Sequence, residues 1–172
     1  LPRSNDIIYL KELYQDFNEW LKFSEAKNAG LLTFNGALLF GATEYVQQLH
    51  GKMSLGLKTC LIILIINLLI NLYSFKPSKG VKFKNNCNCM NQNYLNNLMF
   101  YKNVENLNQQ SLIKSLNERY GLDISYNDNY SYDLATQVIS IGTLIKRKNK
   151  FFSVSSTITI LVVILYIILE LF

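Results

Sequence analysis

Two runs of apolar residues decide what this chain can fold into. Residues 61–72 read LIILIINLLINL, and residues 158–172 read ITILVVILYIILELF. Backbone groups inside a bilayer must bond within their own segment, so about 20 mostly apolar residues are needed for one spanning helix. Composition agrees with a membrane protein. Only 17% of the 172 residues are charged, against roughly 25% in soluble domains, and 49% are hydrophobic. That apolar content excludes intrinsic disorder, and three cysteines exclude a disulfide-built scaffold.

Three spans are expected. The third is 154–172, interrupted by Ser/Thr near its start and by Glu170 at its far end. The second is 55–75, with Lys58 able to snorkel at one end and Pro77 closing the other. The first, 29–46, is more polar: it carries Thr33, Asn35 and the glycines Gly30, Gly36 and Gly41. Small and polar residues suit a helix that faces other helices; the competing reading is a buried soluble helix. Residues 1–28 hold no basic segment leading into an apolar core and cleavage site, so insertion without a removable signal is expected. Orientation follows from Lys and Arg. Eleven of the 17 lie in 76–152 and four precede the first span, whereas only Lys52 and Lys58 lie in or beside the 47–54 connection. Positive charge marks the cytoplasmic side. The N-terminus and the long middle segment are therefore assigned to the cytoplasm, and the C-terminus to the outside.

The expected fold is an all-α integral membrane protein: an amphipathic helix at 5–28, a transmembrane hairpin at 29–75, a mostly helical cytoplasmic insert at 76–152 and a third span at 153–172. In the first helix Leu10, Leu13, Tyr14, Phe17, Trp20 and Leu21 form a stripe, with Asn5-Asp6 offering an N-cap. Its polar face is of mixed sign, which favours packing on the insert over lying in the headgroup layer, where Trp20 would be an anchor. Within the insert, 109–120 reads as a helix with Leu112, Ile113, Leu116 and Tyr120 on one face and Gly121 as its C-cap. Tyr126, Tyr130 and Tyr132 follow, able either to cover a small core or to stack on a nucleobase. From Asp133 a helix with Leu134, Val138, Ile141 and Ile145 on one face runs through Lys146-Arg147-Lys148-Asn149-Lys150 into the last span. That basic cluster is either a topology signal touching lipid headgroups or a phosphate site.

Candidate chemistry is sparse. Residues 76–97 read as a basic, Asn-rich loop in which Cys87 and Cys89 invite a metal reading. A tetrahedral site needs four ligands, and only Cys60, within a span, and His50, across the membrane, remain; no metal site is expected. With one histidine there is no Ser-His-Asp arrangement, and neither a phosphate-binding Gly-rich loop nor a metalloprotease motif occurs. The expectation is a non-enzyme.

Residues 21–36, LKFSEAKNAGLLTFNG, resemble the opening of Pycsar-type transmembrane effectors, where an acidic residue, a Lys and an Ala lead into a first span carrying an Asn. The 132–138 stretch, YDLATQV, with Lys146-Arg147-Lys148 and Phe151-Phe152, is similar to that family's closing segment, in which a D-L-x-x-Q helix and an R-K pair precede the last span. Leu98-Met99-Phe100-Tyr101 and the short helix after it fit the family's middle. Asn149, where the family pattern has an aromatic, and the 76–97 connection depart from it. The resemblance implies a bacterial antiphage effector of the inner membrane. A partner cyclase makes a cyclic mononucleotide, or more broadly a cyclic oligonucleotide; the effector binds it and impairs the membrane, so the infected cell stops growing. No nucleic acid polymer and no further cofactor is implied. Arg147 and Lys148 are the expected nucleotide readers, Asp133 and Gln137 orient the same helix, and Lys27 is a further candidate. Three short spans cannot enclose a conducting path, so a homo-oligomer is expected, held by Gly30, Gly36 and Gly41 and by Asn35, Asn67 and Asn71. The competing class is a small ligand-independent membrane subunit, holin-like or a transporter accessory chain.

Overall fold

The computed structural model describes residues 4–48, 54–76 and 97–171. The described residues form five helices and no strand: α1 (Ser4–Gln48), α2 (Leu55–Ser74), α3 (Tyr101–Val104), α4 (Gln109–Tyr120) and α5 (Asn129–Leu171). They fall into two units. A small-core unit comprises Leu1–Phe23 and Ser78–Lys146, and a three-helix unit comprises Ser24–Pro77 and Arg147–Phe172.

The small core is built from one stripe on each of three helices. Leu10, Leu13 and Phe17 of α1 recur at three- and four-residue spacing, which places them on one face. They pack with Leu112, Ile113 and Leu116 of α4 and with Leu134, Val138, Ile141 and Ile145 of α5, closed by Leu98, Val104 and Ile124. Gly142 lets the Phe17 ring approach α5: a Cβ there would stand 3.4 Å from Phe17 Cε1. Lys146 of α5 pairs with Glu105, whose side chain is almost wholly buried. Trp20 and Phe23, at the end of the α1 stripe, are about half exposed.

Helix ends follow their caps. The Asn108 carboxamide accepts the Ser111 N–H at 2.7 Å, and Gly121, at φ +66°, closes α4 in the left-handed conformation that glycine adopts without strain. Asn117 then ties the following turn, exchanging two 3.0 Å bonds with the Ile124 backbone. Two expectations are corrected. The proposed N-cap at Asn5-Asp6 already lies inside α1; the buried Asp6 carboxylate instead accepts the Asp123 N–H at 3.2 Å. And α5 starts at Asn129, not Asp133, because Asp128 accepts both the N–H and the O–H of Ser131, at 3.0 and 2.6 Å. These bonds hold the Asp128 carboxyl below its ordinary range. Tyr130 and Tyr132 thus sit on the first turn of a helix. With Tyr126 they are exposed, and the core is covered instead by Tyr9, Tyr14, Tyr101 and Tyr120.

The three-helix unit has the reverse pattern. Its outward faces are apolar, with Ile62, Ile65, Ile66, Leu69 and Leu72 of α2 and Ile160, Leu161, Ile164 and Ile167 of α5 all exposed. So large a greasy surface marks a membrane or an interface. Among the described residues, α2 and α5 are long and apolar enough to cross a membrane. The 29–46 stretch belongs to α1, a single 45-residue helix. Inside the unit Cys60 and Leu64 pack on Val162, and Leu169 lies over Gly56, where a Cβ would be only 2.7 Å away.

Candidate functional site

Two features of the three-helix unit bear on function. The first is a basic and aromatic cluster where α1, α2 and α5 approach one another. Arg147 rests its guanidinium between two rings, 5.8 Å from the Tyr73 centroid and 5.7 Å from Phe151, and forms no ion pair among the described residues. Weakly hydrated and planar, a guanidinium held this way keeps its N–H fork available to an anion. Lys148 is more committed. Its side chain is 12% exposed, its Nζ is 3.1 Å from Glu25 Oε1, and it lies 5.5 Å from the Phe75 ring. Lys27 donates to Asn149 Oδ1 at 3.2 Å and sits 5.3 Å over Phe152. Asn149, where an aromatic was expected, therefore links α5 to α1, since it also accepts from Ser24 Oγ at 3.3 Å.

The structure brings Arg147, Lys148 and Lys27 into the same unit. Asp133 and Gln137 belong to the small-core unit, at least ten residues earlier on α5, and both are exposed. Tyr73, Phe75 and Glu25 were missed as members of the cluster. The aromatics just beyond the second apolar run were a usable signal; the Glu25 pairing, across 123 positions of sequence, was not.

The second feature is a row of buried amides. Asn28, Asn35, Asn67 and Asn71 have no exposed surface. Asn67 is fastened to α5: its Nδ2 donates to Thr159 Oγ1 at 2.9 Å, and its Oδ1 accepts from Ser155 Oγ at 2.7 Å. Thr159 in turn donates to Asn35 Oδ1 at 2.8 Å, so all three helices meet at one knot. Asn28 Nδ2 donates to the carbonyls of Ser24, at 2.8 Å, and Lys148, at 3.2 Å. Asn35, Asn67 and Asn71, expected at contacts between subunits, are buried within their own unit, while the residues of α2 exposed between Ile62 and Leu72 are apolar. Of the glycines, Gly36 is partly covered and Gly30 and Gly41 are exposed, and a Cβ on any of the three would meet open space. His50, Cys87 and Cys89 lie outside the described residues.

The family model of the Pycsar effector protein domain matches residues 9–172. No curated protein and no solved structure matches the chain.

Proposed function

Because the chain belongs to the Pycsar effector family, we propose that it is an antiphage effector which binds a cyclic nucleotide made by a partner cyclase, assembles into homo-oligomers and impairs the bacterial inner membrane. The observation that carries the reading is the family match over nearly the whole chain, supported by two apolar helices fit to span a bilayer. In this reading the 29–46 part of α1 crosses as well, giving three spans with the N-terminus and the 76–152 insert in the cytoplasm. Lys27, Arg147 and Lys148 then form an anion site at the cytoplasmic mouth. The nucleotide phosphate takes charge-assisted bonds from Arg147 and Lys148, each about 1.5–3 kcal/mol, and the rings of Tyr73 and Phe75 flank the base. A ligand shifts the assembly only by binding its active state more tightly, and a site reached from all three helices is suited to sense their arrangement. Outward apolar faces and the open surface at Gly30 supply the contacts between copies.

The test is calorimetry on nanodisc-embedded protein with purine and pyrimidine cyclic mononucleotides, then cyclic oligonucleotides, paired with growth assays beside the cyclase. Arg147→Ala with Lys148→Ala is expected to abolish both binding and ligand-dependent toxicity while leaving insertion intact. Parent-like binding by that double variant would remove the site from this cluster. Toxicity without any nucleotide response would favour the holin-like class.

A further inference from the structure

The interior of the three-helix unit is not a finished core. Five polar groups buried there have no hydrogen-bond partner among the described residues: Asn28 Oδ1, Asn35 Nδ2, both amide atoms of Asn71, and Ser74 Oγ. Native interiors rarely leave such groups unmatched, and inside a membrane the need for a partner is stricter still. They are also ordered in space. Asn28 bonds the Lys148 carbonyl on α5, and Ser74 precedes Phe75, whose ring lies 5.5 Å from the Lys148 ammonium. Asn35 and Asn67 both reach Thr159. Asn71 stands on α2 one turn from Asn67 and one from Ser74. The row therefore runs about 10 Å along α1 and α2, a third of a roughly 30 Å hydrocarbon layer.

Beyond the Thr159 knot the interior stays open but changes character. A cavity of about 360 Å³ continues between the same three helices, lined by apolar residues that include Leu38, Gly41, Leu57, Cys60 and Tyr166. A polar row with unmet hydrogen bonds holds water, whereas an apolar cavity stays dry and blocks ions until it wets. The two lie in series along the unit.

We propose that this seam between α1, α2 and α5, rather than the outer face of the unit, is the surface that lines the membrane lesion: the row from Asn28 to Asn71 is its hydrated wall, and the apolar cavity is its gate. This rests on the reading of the protein as a membrane-impairing effector. On activation the seam parts within the assembled oligomer, and small hydrated ions pass along its polar wall.

Release of potassium from phosphatidylethanolamine–phosphatidylglycerol vesicles, read with an ion-selective electrode and with the cyclic mononucleotides of A, G, C and U and cyclic dinucleotides as probes, tests the seam. Gly41→Leu adds bulk to the cavity from a position where a Cβ meets nothing within 4 Å, so its first side-chain atom makes no clash; release is expected to fall at least tenfold with nucleotide binding unchanged. Asn71→Leu is expected to do the same, while Asn71→Ser, which keeps a polar group, retains release. Leu38→Asn makes the gate polar and is expected to leak without nucleotide. In a Cys60→Ser, Cys87→Ser, Cys89→Ser background, Asn71→Cys should react with a membrane-impermeant thiol reagent only once the nucleotide is added. Parent-like release from Gly41→Leu and Asn71→Leu, or no labelling in a leaking protein, overturns the seam and leaves the effector reading standing. A parent protein that releases nothing with any nucleotide overturns both.

Discussion

Lys148 is held by Glu25 before any ligand arrives, and that competition gives a directional prediction. Glu25→Gln keeps the shape of the side chain and removes the negative charge 3.1 Å from Lys148 Nζ. The Glu25 side chain is 48% exposed, so water screens the pair and its worth lies near the upper end of a surface ion pair, about 1 kcal/mol. An incoming phosphate must displace Glu25 and lose that amount. Removing the carboxylate should therefore tighten nucleotide binding roughly fivefold, whereas Lys148→Ala should weaken it tenfold or more. The cycle closes with the double variant, in which Glu25→Gln is expected to give no gain once Lys148 is gone. Calorimetry in nanodiscs at fixed ionic strength reads all four proteins. Unchanged or weaker binding by Glu25→Gln would refute the reasoning, leaving the ion pair as a tie between α1 and α5 and nothing more.

Three further outcomes follow from the packing. Asn67→Ala removes three interior hydrogen bonds to Ser155 and Thr159; at the average of about 0.6 kcal/mol per bond in a membrane, a loss of about 2 kcal/mol is expected in detergent unfolding followed by circular dichroism. Phe17→Ala empties the centre of the small core, where the ring is 1% exposed, and should cost about 3–5 kcal/mol in denaturant midpoints read from that unit. Asp128 has its carboxyl pKa lowered below 3.8 by the Ser131 bonds, so its support for the start of α5 is full above the unfolded value and fades as pH falls through the folded one. Amide exchange at Ser131 should therefore quicken in Asp128→Ala at neutral pH, a difference that disappears once the parent carboxyl is protonated.

How much of this was legible depends on what each residue could say locally. The α4 ends were readable because Gly121 stops a helix by a backbone preference that no tertiary contact needs to supply. The start of α5 was not, since Asn, Ser and Tyr in 129–132 carry no helical periodicity until the Asp128 cap shows them to be a first turn. The spacing of Asn67 and Asn71 announced one polar face on α2, but a face alone does not say whether it meets its own chain or another copy. Ser155 and Thr159, one turn apart on α5, tie Asn67 to its own chain, though in the sequence they looked like mere interruptions of an apolar run. The basic cluster was visible as charge; its aromatic walls and its internal acidic partner depend on helices distant in sequence.

Trp20 offers something of a different kind. It is the chain's single tryptophan, half exposed beside Asp16, Glu19 and Phe23 on the outer side of α1. Excitation at the red edge of aromatic absorption therefore isolates one indole among eleven tyrosines, and its emission colour reports how wet that one helix face is. Burial of the face by a second copy or by headgroups would shift the emission to the blue, and quenching by a soluble ion would fall with it. The native protein thus carries its own optical gauge of what touches α1, with no dye to attach and no residue to replace.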